Sequence, residues 1–213
     1  YVYSEHITDS PASTHIMDFE SHLCEFDDLG FASVSGCVPW DERVWGGATT
    51  LSSEPTVGEP DGFQASFGTV AQNLTISFSN PQTYLGMWWS AGSPGNQIEF
   101  YNGDQIIAST NADDVSTILR GNGTLSSWDG SASYPQANYL GNPRNYAYDG
   151  SSQTYSQVNY DSANLEPFTY IHFFATSGQT FNKVVLSGPG FEFDNLVVSD
   201  RSDLLSNLNS RLV

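Results

Sequence analysis

Basic residues are scarce in this chain of 213 residues: six Lys and Arg stand against 24 Asp and Glu, for a formal net charge of −18. Lys183 is the only lysine. Nucleic-acid binding needs clustered Lys and Arg to neutralise phosphates, and the sequence has no such cluster. The same shortage disfavours anionic membrane surfaces. We therefore expect no nucleic-acid partner.

Carboxylates are in large excess over basic groups in this sequence. Carboxylate oxygens are the ligands that hard cations prefer, so the composition predicts Ca²⁺ as a cofactor. The alternative is an acidic surface that only keeps the protein soluble in salty or acidic surroundings.

Long apolar runs and additional cysteines are also missing. No run of 18 apolar residues occurs, which predicts no membrane span. The two cysteines, Cys24 and Cys37, are too few for a zinc site and predict one disulfide, worth about 3 kcal/mol in the chain-entropy model. A disulfide implies an oxidising compartment, so we expect a secreted or cell-surface protein.

Two further features are compatible with secretion. The sequons at Asn73 and Asn122 could be glycosylated. The sequence starts at Tyr1 rather than Met, which is compatible with a processed chain.

Helical segments that alternate with strands are absent, which excludes βαβ folds. Gly, Pro, Ser and Asn are frequent, which predicts many turns. Strand-like alternation is clear in Asn73–Asn80. Asn102-Gly103-Asp104 between Gln97–Tyr101 and Gln105–Ser109 predicts a hairpin. About nine or ten short strands with one polar insertion over 120–165 predict an all-β fold, an antiparallel β-sandwich of jelly-roll type with long loops.

The chain divides into three expected parts. Residues 1–16 are predicted to form an extended N-terminal arm, residues 17–199 the β-sandwich domain, and residues 200–213 a C-terminal tail or short helix. Within the arm, Tyr1, Val2 and Tyr3 could add as a strand to the open sheet edge of a neighbouring copy.

A calcium site is expected where the first and last core strands meet. Met17–Glu20 and Phe191–Asn195 are predicted to be those strands. If they pair, Asp18 or Glu20 comes close to Asp194, and loop carbonyls complete the ligand set. The alternative is that these acids face solvent, as we expect for Asp27-Asp28 and Asp113-Asp114.

Catalytic signatures are weak. No Gly-x-Ser-x-Gly motif occurs, and His172 lies in an apolar strand, where a packed histidine is expected. Glu192 and Asp194 alternate along one strand and share a face, as in jelly-roll glycosidases, but no further acid follows Asp194 in that strand. The sequence therefore predicts that the chain is not an enzyme.

Loop aromatics are the candidate glycan-binding residues. Sugars stack on exposed Trp and Tyr rings, and the candidates are Trp40, Trp45, Trp128, Tyr146 and Tyr148. The alternative is that these rings cover the core edge or pack against another subunit.

Three stretches resemble a known family. YLGMWWSAGSPGNQIEFYNGDQIIAS (84–109), FNKVVLSGPGFEFDNLVVS (181–199) and the early Asp18-Phe19-Glu20 are similar to bacterial exosortase-sorted (PEP-CTERM) surface proteins, including cyanobacterial ones. The resemblance implies a secreted protein of the cell surface or extracellular matrix, in a family whose members mostly have no assigned activity. This sequence lacks the family's C-terminal Pro-Glu-Pro motif, hydrophobic anchor and basic tail.

Two functions follow as expectations. The first is an extracellular calcium-binding module for glycan binding or adhesion, with a polysaccharide as partner. The second is a self-assembling subunit of an extracellular filament or matrix, in which the partner is another copy of the chain and the arm is the donated strand.

Overall fold

The structure is a computed structural model. It describes residues 2–4, 15–17, 24–26, 28, 30–37, 39–40, 64–66, 73–89, 92–121, 123–126, 133–135, 140–141, 146–149, 154–157, 166–167, 169–176 and 178–201.

The described elements are eighteen strands and one helix. In chain order they are β1 Val2–Ser4, β2 His15–Met17, β3 Ala32–Ser35, β4 Pro39–Trp40, β5 Gln64–Ser66, β6 Leu74–Gln82, β7 Tyr84–Trp89, β8 Gln97–Asn102, β9 Gln105–Asn111, α1 Ala112–Leu119, β10 Thr124–Ser126, β11 Ser133–Pro135, β12 Leu140–Gly141, β13 Tyr146–Asp149, β14 Thr154–Gln157, β15 Glu166–Pro167, β16 Thr169–Phe174, β17 Phe181–Ser187 and β18 Glu192–Ser199.

Two antiparallel sheets form the sandwich. The seven-stranded sheet has the order β1-β16-β7-β18-β5-β4, with β2 also paired to β18, and the five-stranded sheet has the order β3-β6-β17-β8-β9. Successive strands β6, β7 and β8 alternate between the sheets, as do β16, β17 and β18. The predicted antiparallel sandwich is confirmed, and this alternation is compatible with the predicted jelly-roll type.

The core lies between the two sheets and follows from strand alternation. In β6, Leu74, Ile76 and Phe78 are buried, while the residues between them are half-buried. The opposite sheet contributes Leu85, Met87 and Trp89 of β7 to the same cluster. Trp89 is fully buried and stacks on Phe191 at a centroid distance of 4.9 Å, as expected for one ring of Trp88-Trp89.

The hairpin predicted around Asn102-Gly103-Asp104 is confirmed. Asn102 pairs with Gln105, so Gly103 and Asp104 form the two-residue loop between β8 and β9. Gly103 has φ +60°, which a residue without Cβ adopts at no steric cost. The Asn182 side-chain oxygen accepts a hydrogen bond from the Gly103 N–H at 2.9 Å and fixes the turn against β17.

Helix α1 was not predicted. The Asn111 side chain caps it by accepting a hydrogen bond from Asp114 N at 2.9 Å, and Asp113 and Asp114 occupy the first turn. Acidic residues at a helix N-terminus are favourable, which gives this exposed pair a local role beyond being solvated. No helix in the described ranges is long and apolar enough to cross a membrane.

The predicted polar insertion over 120–165 contributes strands to three two-stranded ribbons, one of which is completed by β15 just after it. They pair β10 with β11, β12 with β15, and β13 with β14.

The first and last core strands pair, but through residues 15–17 and 196–198 rather than through the predicted segments Met17–Glu20 and Phe191–Asn195. Strand β2 lies antiparallel to β18, with Met17 opposite Leu196 and His15 opposite Val198. Strand β1, from the predicted arm, pairs with β16 of the same chain, with Val2 opposite His172. The domain boundaries at residues 16 and 199 stay predictions, and residues 202–213 of the expected tail lie outside the described residues.

The predicted disulfide between Cys24 and Cys37 is confirmed, with a Cα–Cα distance of 6.1 Å. Both cysteines are half-buried and pack against the core cluster, so the bond ties the segment before β3 to the sandwich.

Candidate functional site

The outer surface of the five-stranded sheet carries a row of polar side chains along β8. Gln97, Glu99 and Tyr101 are half-buried and alternate with the buried Ile98 and Phe100. Because alternate residues of a strand lie on opposite faces, these three side chains share the face turned away from the core.

Glu99 is held between its two neighbours in this row. Tyr101 Oη donates a hydrogen bond to Glu99 Oε2 at 2.8 Å, and Gln97 Nε2 donates to Glu99 Oε1 at 3.3 Å. Both carboxylate oxygens therefore have a partner, and the short phenol–carboxylate bond is charge-assisted. The hydrogen bond to Glu99 raises the pKa of Tyr101, so the phenol keeps its proton.

Lys183, the only lysine, adjoins this row. It lies opposite Tyr101 in the register of β17 and β8, and its Nζ is 4.3 Å from the centre of the Tyr101 ring. The same Nζ is 4.0 Å from Asp104 Oδ1, where the exposed ion pair contributes little. The cation–π contact favours this placement of the Lys183 ammonium group over the Tyr101 ring.

Hydroxyl groups continue the surface on the next two strands. In one row across the strands, Lys183 lies opposite Ser77, and Ser77 lies opposite Ser33. In the next row on the same face, Val185 lies opposite Thr75, and Thr75 lies opposite Ser35. On the other side, Ile106 lies opposite Tyr101 and is 49% exposed. We call the set the β8 face, formed by Gln97, Glu99, Tyr101, Ile106, Lys183, Ser33, Ser35, Thr75 and Ser77.

The chemistry of the β8 face suits a polyhydroxylated ligand. Glu99 accepts hydrogen bonds, Lys183 donates them, and Gln97 and the serine and threonine hydroxyls do both. Tyr101 and Ile106 add apolar surface.

Three of the five predicted aromatic candidates lie on strands that do not belong to the β8 face. Trp40 is in β4, opposite Gln64. Tyr146 and Tyr148 are alternate residues of β13, opposite Gln157 and Tyr155. Trp45 and Trp128 lie outside the described residues. The described strands do not place Trp40 and the β13 tyrosines in one sheet.

The predicted calcium ligands are only partly described. Asp194 is in β18, with its backbone opposite Trp88, whereas Asp18 and Glu20 lie outside the described residues. Among the residues that the structure describes, no group of three or more His, Cys, Asp or Glu side chains is placed to hold a metal ion. The calcium site at this strand pair stays a prediction.

The remaining predicted site residues are also partly inside and partly outside the described ranges. Val2 and Tyr3 belong to β1, and Tyr1 lies outside the described residues. Asn73 is exposed immediately before β6, and Asn122 is not among the described residues. His172 is fully buried, which confirms it as a packed histidine.

Sequence reasoning missed the β8 face although its signal is present. The QIEFY segment alternates polar and apolar residues, so Gln97, Glu99 and Tyr101 could have been assigned to one face. That Lys183 joins this row depends on the register between β17 and β8, which the sequence does not display.

No protein-family model matches the chain, and no curated protein matches it. Two solved structures are similar. The first is the catalytic domain of a GH87 α-1,3-glucanase in complex with tetrasaccharides, with 11% identity and a TM-score of 0.41, covering 89% of this chain and 28% of that one. The second is the enzymatically active domain of bacteriophage CBA120 tailspike protein 4, with 10% identity and a TM-score of 0.23, covering 82% of this chain and 19% of that one.

These matches correct one prediction. Both similar chains are enzymatic domains. The prediction that this chain is not an enzyme was therefore wrong, because catalysis is not excluded. It relied on the absence of a further acid after Asp194 in the same strand, whereas an acid can also come from a neighbouring strand. TM-scores below 0.5 give no argument for a particular reaction, and this chain spans only 28% of the first structure.

Proposed function

We propose that this β-sandwich recognises a neutral polysaccharide through the β8 face. The observation that carries the proposal is the hydrogen-bonded row of Gln97, Glu99 and Tyr101 beside Lys183 on an outer sheet face. It combines a carboxylate, an amide, an ammonium group and a ring, all turned away from the core.

The fixed geometry of Glu99 favours binding. Its two partners hold the carboxylate in one orientation, so little side-chain freedom is lost when a sugar hydroxyl donates to its remaining lone pairs. Lys183 is similarly restrained by Tyr101 and can donate to a ring or hydroxyl oxygen of the sugar.

The charge balance selects a neutral glycan. A net charge of −18 repels anionic polysaccharides, and a single Lys183 beside Glu99 and Asp104 does not reverse that repulsion locally. Neutral hydroxyl-rich chains avoid this cost.

The proposal is tested by affinity electrophoresis of the whole chain against a panel of neutral and acidic polysaccharides. We expect retardation by at least one neutral polysaccharide, and Tyr101→Ala to weaken it by about tenfold because ring contact and the Glu99 restraint are both lost. Tyr101→Phe is the matched control for the ring, and Asp113→Asn on α1 is the control for a surface change elsewhere. Equal retardation of wild type and Tyr101→Ala would reject the β8 face as the site.

A surface or matrix location accompanies this proposal. The Cys24–Cys37 disulfide is compatible with a secreted protein, and the resemblance to exosortase-sorted surface proteins supports a location at the cell surface or in the extracellular matrix. At that location, glycan binding by the β8 face would attach the protein, or the cell that bears it, to the recognised polysaccharide.

Self-assembly is a second candidate, favoured by the position of β1. This strand is at the end of the seven-stranded sheet and pairs with β16 through only three residue pairs. A short terminal strand that pairs at a sheet edge can be replaced by the same strand from another copy.

A further inference from the structure

A small apolar pocket opens at one edge of the sandwich, beside β9, which is the last described strand of the five-stranded sheet. The pocket has a volume of about 210 Å³, and the most buried residues that line it are Phe100 of β8, Phe173 of β16 and Phe181 of β17. We call these three rings its floor. The pocket is separate from the β8 face, because Phe100 and Glu99 lie on opposite sides of β8.

Ala108 explains why the core is open at this point. It lies opposite Phe100 in the register of β8 and β9, and opposite residues of an antiparallel pair share one face of the sheet. Ala108 is therefore on the core side, yet it is exposed and lines the pocket. Its methyl group leaves unfilled the space that a larger side chain would occupy at this position.

The floor presents both ring faces and ring edges. The centroids of Phe100 and Phe173 are 5.1 Å apart with their planes at 50°, and those of Phe100 and Phe181 are 5.2 Å apart at 74°. Phe100 and Phe173 are each 5% exposed and Phe181 is 3% exposed, as expected for rings at the bottom of an open pocket. A further aromatic ring can pack here by offset stacking or edge to face, so the floor favours an aromatic ligand.

Neutral polar groups lie at the mouth of the pocket. Thr176 and Gln179 line it and are exposed. The segment that carries them is held by two backbone hydrogen bonds, from Gln179 N–H to the Thr176 carbonyl at 3.0 Å and from Ala175 N–H to the Thr83 carbonyl at 2.8 Å. A hydroxyl and an amide both donate and accept hydrogen bonds, so the hydroxyl of a ligand finds partners here.

The charge and the size of the pocket restrict the ligand further. None of the described residues that line it is charged, so an ionised ligand loses hydration there without gaining a counter-charge. The net charge of −18 adds repulsion against anions. An apolar cavity of about 150 Å³ holds benzene, whereas drug-sized ligands need about 300 Å³ or more. The pocket therefore has the size of one substituted ring.

We propose that this pocket binds a neutral phenol with a single ring, which packs on Phe100, Phe173 and Phe181 and places its hydroxyl at Thr176 and Gln179. The aromatic floor, the uncharged polar mouth and the volume of one ring together support this assignment. The proposal does not depend on polysaccharide binding, and none of the site residues predicted from the sequence lines the pocket.

Titration of the isotope-labelled whole chain with 4-methylphenol, toluene and 4-methylbenzoate, followed by backbone amide chemical shifts, tests the proposal. We expect saturable binding of 4-methylphenol with a Kd of about 0.1–1 mM, which is reasonable for so few ligand atoms. Toluene should bind more weakly because it lacks the hydroxyl, and 4-methylbenzoate should not bind at the same concentrations because it is charged. The shifts should be centred on Ile107, Ala108, Thr176 and Gln179.

Three variants separate the parts of the pocket. Ala108→Leu adds a larger side chain to the pocket from an exposed position, and we expect it to raise the Kd of 4-methylphenol by at least about tenfold. Ile106→Leu is the matched control, because Ile106 is an exposed residue of the same strand that does not line the pocket, and its Kd should equal that of the wild type. Gln179→Ala should weaken 4-methylphenol by about threefold and leave toluene unchanged, since only the phenol uses the mouth.

Several results would overturn the proposal. They are a failure of 4-methylphenol to bind, an unchanged Kd in Ala108→Leu, and binding of 4-methylbenzoate as tight as that of 4-methylphenol. Shifts confined to Gln97, Glu99 and Lys183 would overturn it as well, because they would place the phenol on the β8 face. An equal effect of Gln179→Ala on 4-methylphenol and toluene would reject the hydroxyl's position at the mouth and with it the preference for a phenol. None of these results bears on polysaccharide binding by the β8 face.

Discussion

His172 illustrates how strongly one residue's surroundings control its chemistry. It lies at the centre of β16, fully buried, with Nδ1 2.9 Å from the Tyr84 hydroxyl. Burial lowers its pKa from 6.5 to about 3, so the imidazole is neutral in the folded protein at any pH above that value.

This pKa shift predicts acid sensitivity. Below pH 6.5 the unfolded state binds a proton at His172 that the folded state does not bind, so stability is lost as the pH falls from about 6.5 towards 3. Between pH 7.5 and pH 4.5 we expect this residue to account for about 2–3 kcal/mol of the decrease in the free energy of unfolding. Urea denaturation at the two pH values should show a decrease smaller by that amount in His172→Gln.

Tyr84→Phe is the control for this measurement. It removes the hydroxyl but leaves His172 buried, so it should lower stability at both pH values while keeping the wild-type decrease between them. An equal decrease in His172→Gln and the wild type would contradict the assigned role of burial.

Single residues also show which parts of the structure leave a signal in the sequence and which do not. The alternation that buries Ile98 and Phe100 already assigns Gln97, Glu99 and Tyr101 to the opposite face. Gln82, by contrast, is a strand-end amide among polar neighbours, and nothing local indicates that it is buried with one unpaired oxygen. Its burial results from contacts between segments far apart in sequence.

At the scale of elements, strands with strict alternation were predicted well. β6 and the β8–β9 hairpin match their predicted segments closely, because their apolar residues repeat every second position and the turn of the hairpin contains Asn and Gly. Helix α1 was missed because it has only eight residues, several of them polar, and depends on the Asn111 cap and on packing of Val115 and Leu119. The ribbons between β10 and β15 were missed because Ser, Asn and Tyr give no clear alternation there.

Strand β1 should contribute to the stability of the fold although it is short. Deleting residues 1–4 removes three residue pairs from the edge of β16, and we expect the melting temperature to fall by a few degrees. A synthetic peptide of residues 1–14 should bind the truncated chain and restore part of that loss, because a strand can add at the vacated edge from another molecule.

The same peptide with Val2→Pro is the matched control. Proline lacks the N–H that a paired strand donates, so this peptide should bind more weakly. If both peptides restore the melting temperature equally, or neither does, strand exchange through β1 is rejected.

The whole molecule is acidic, and its positive charges are few enough for their positions to matter. Lys183 is the only lysine, and it lies on the β8 face beside the row centred on Glu99. Lys183, Gln97, Glu99 and Tyr101 therefore lie together on an outer sheet face. The net charge of the whole protein repels anions from its surface. We therefore propose that a neutral polysaccharide is recognised at this face.

This proposal is tested by titrating the isotope-labelled chain with an oligosaccharide of the polysaccharide that retards it most, while the backbone amide chemical shifts are recorded. We expect progressive shifts centred on Gln97, Glu99, Tyr101 and Lys183. Shifts confined to Trp40, Tyr146 and Tyr148, with no change along β8, would contradict it.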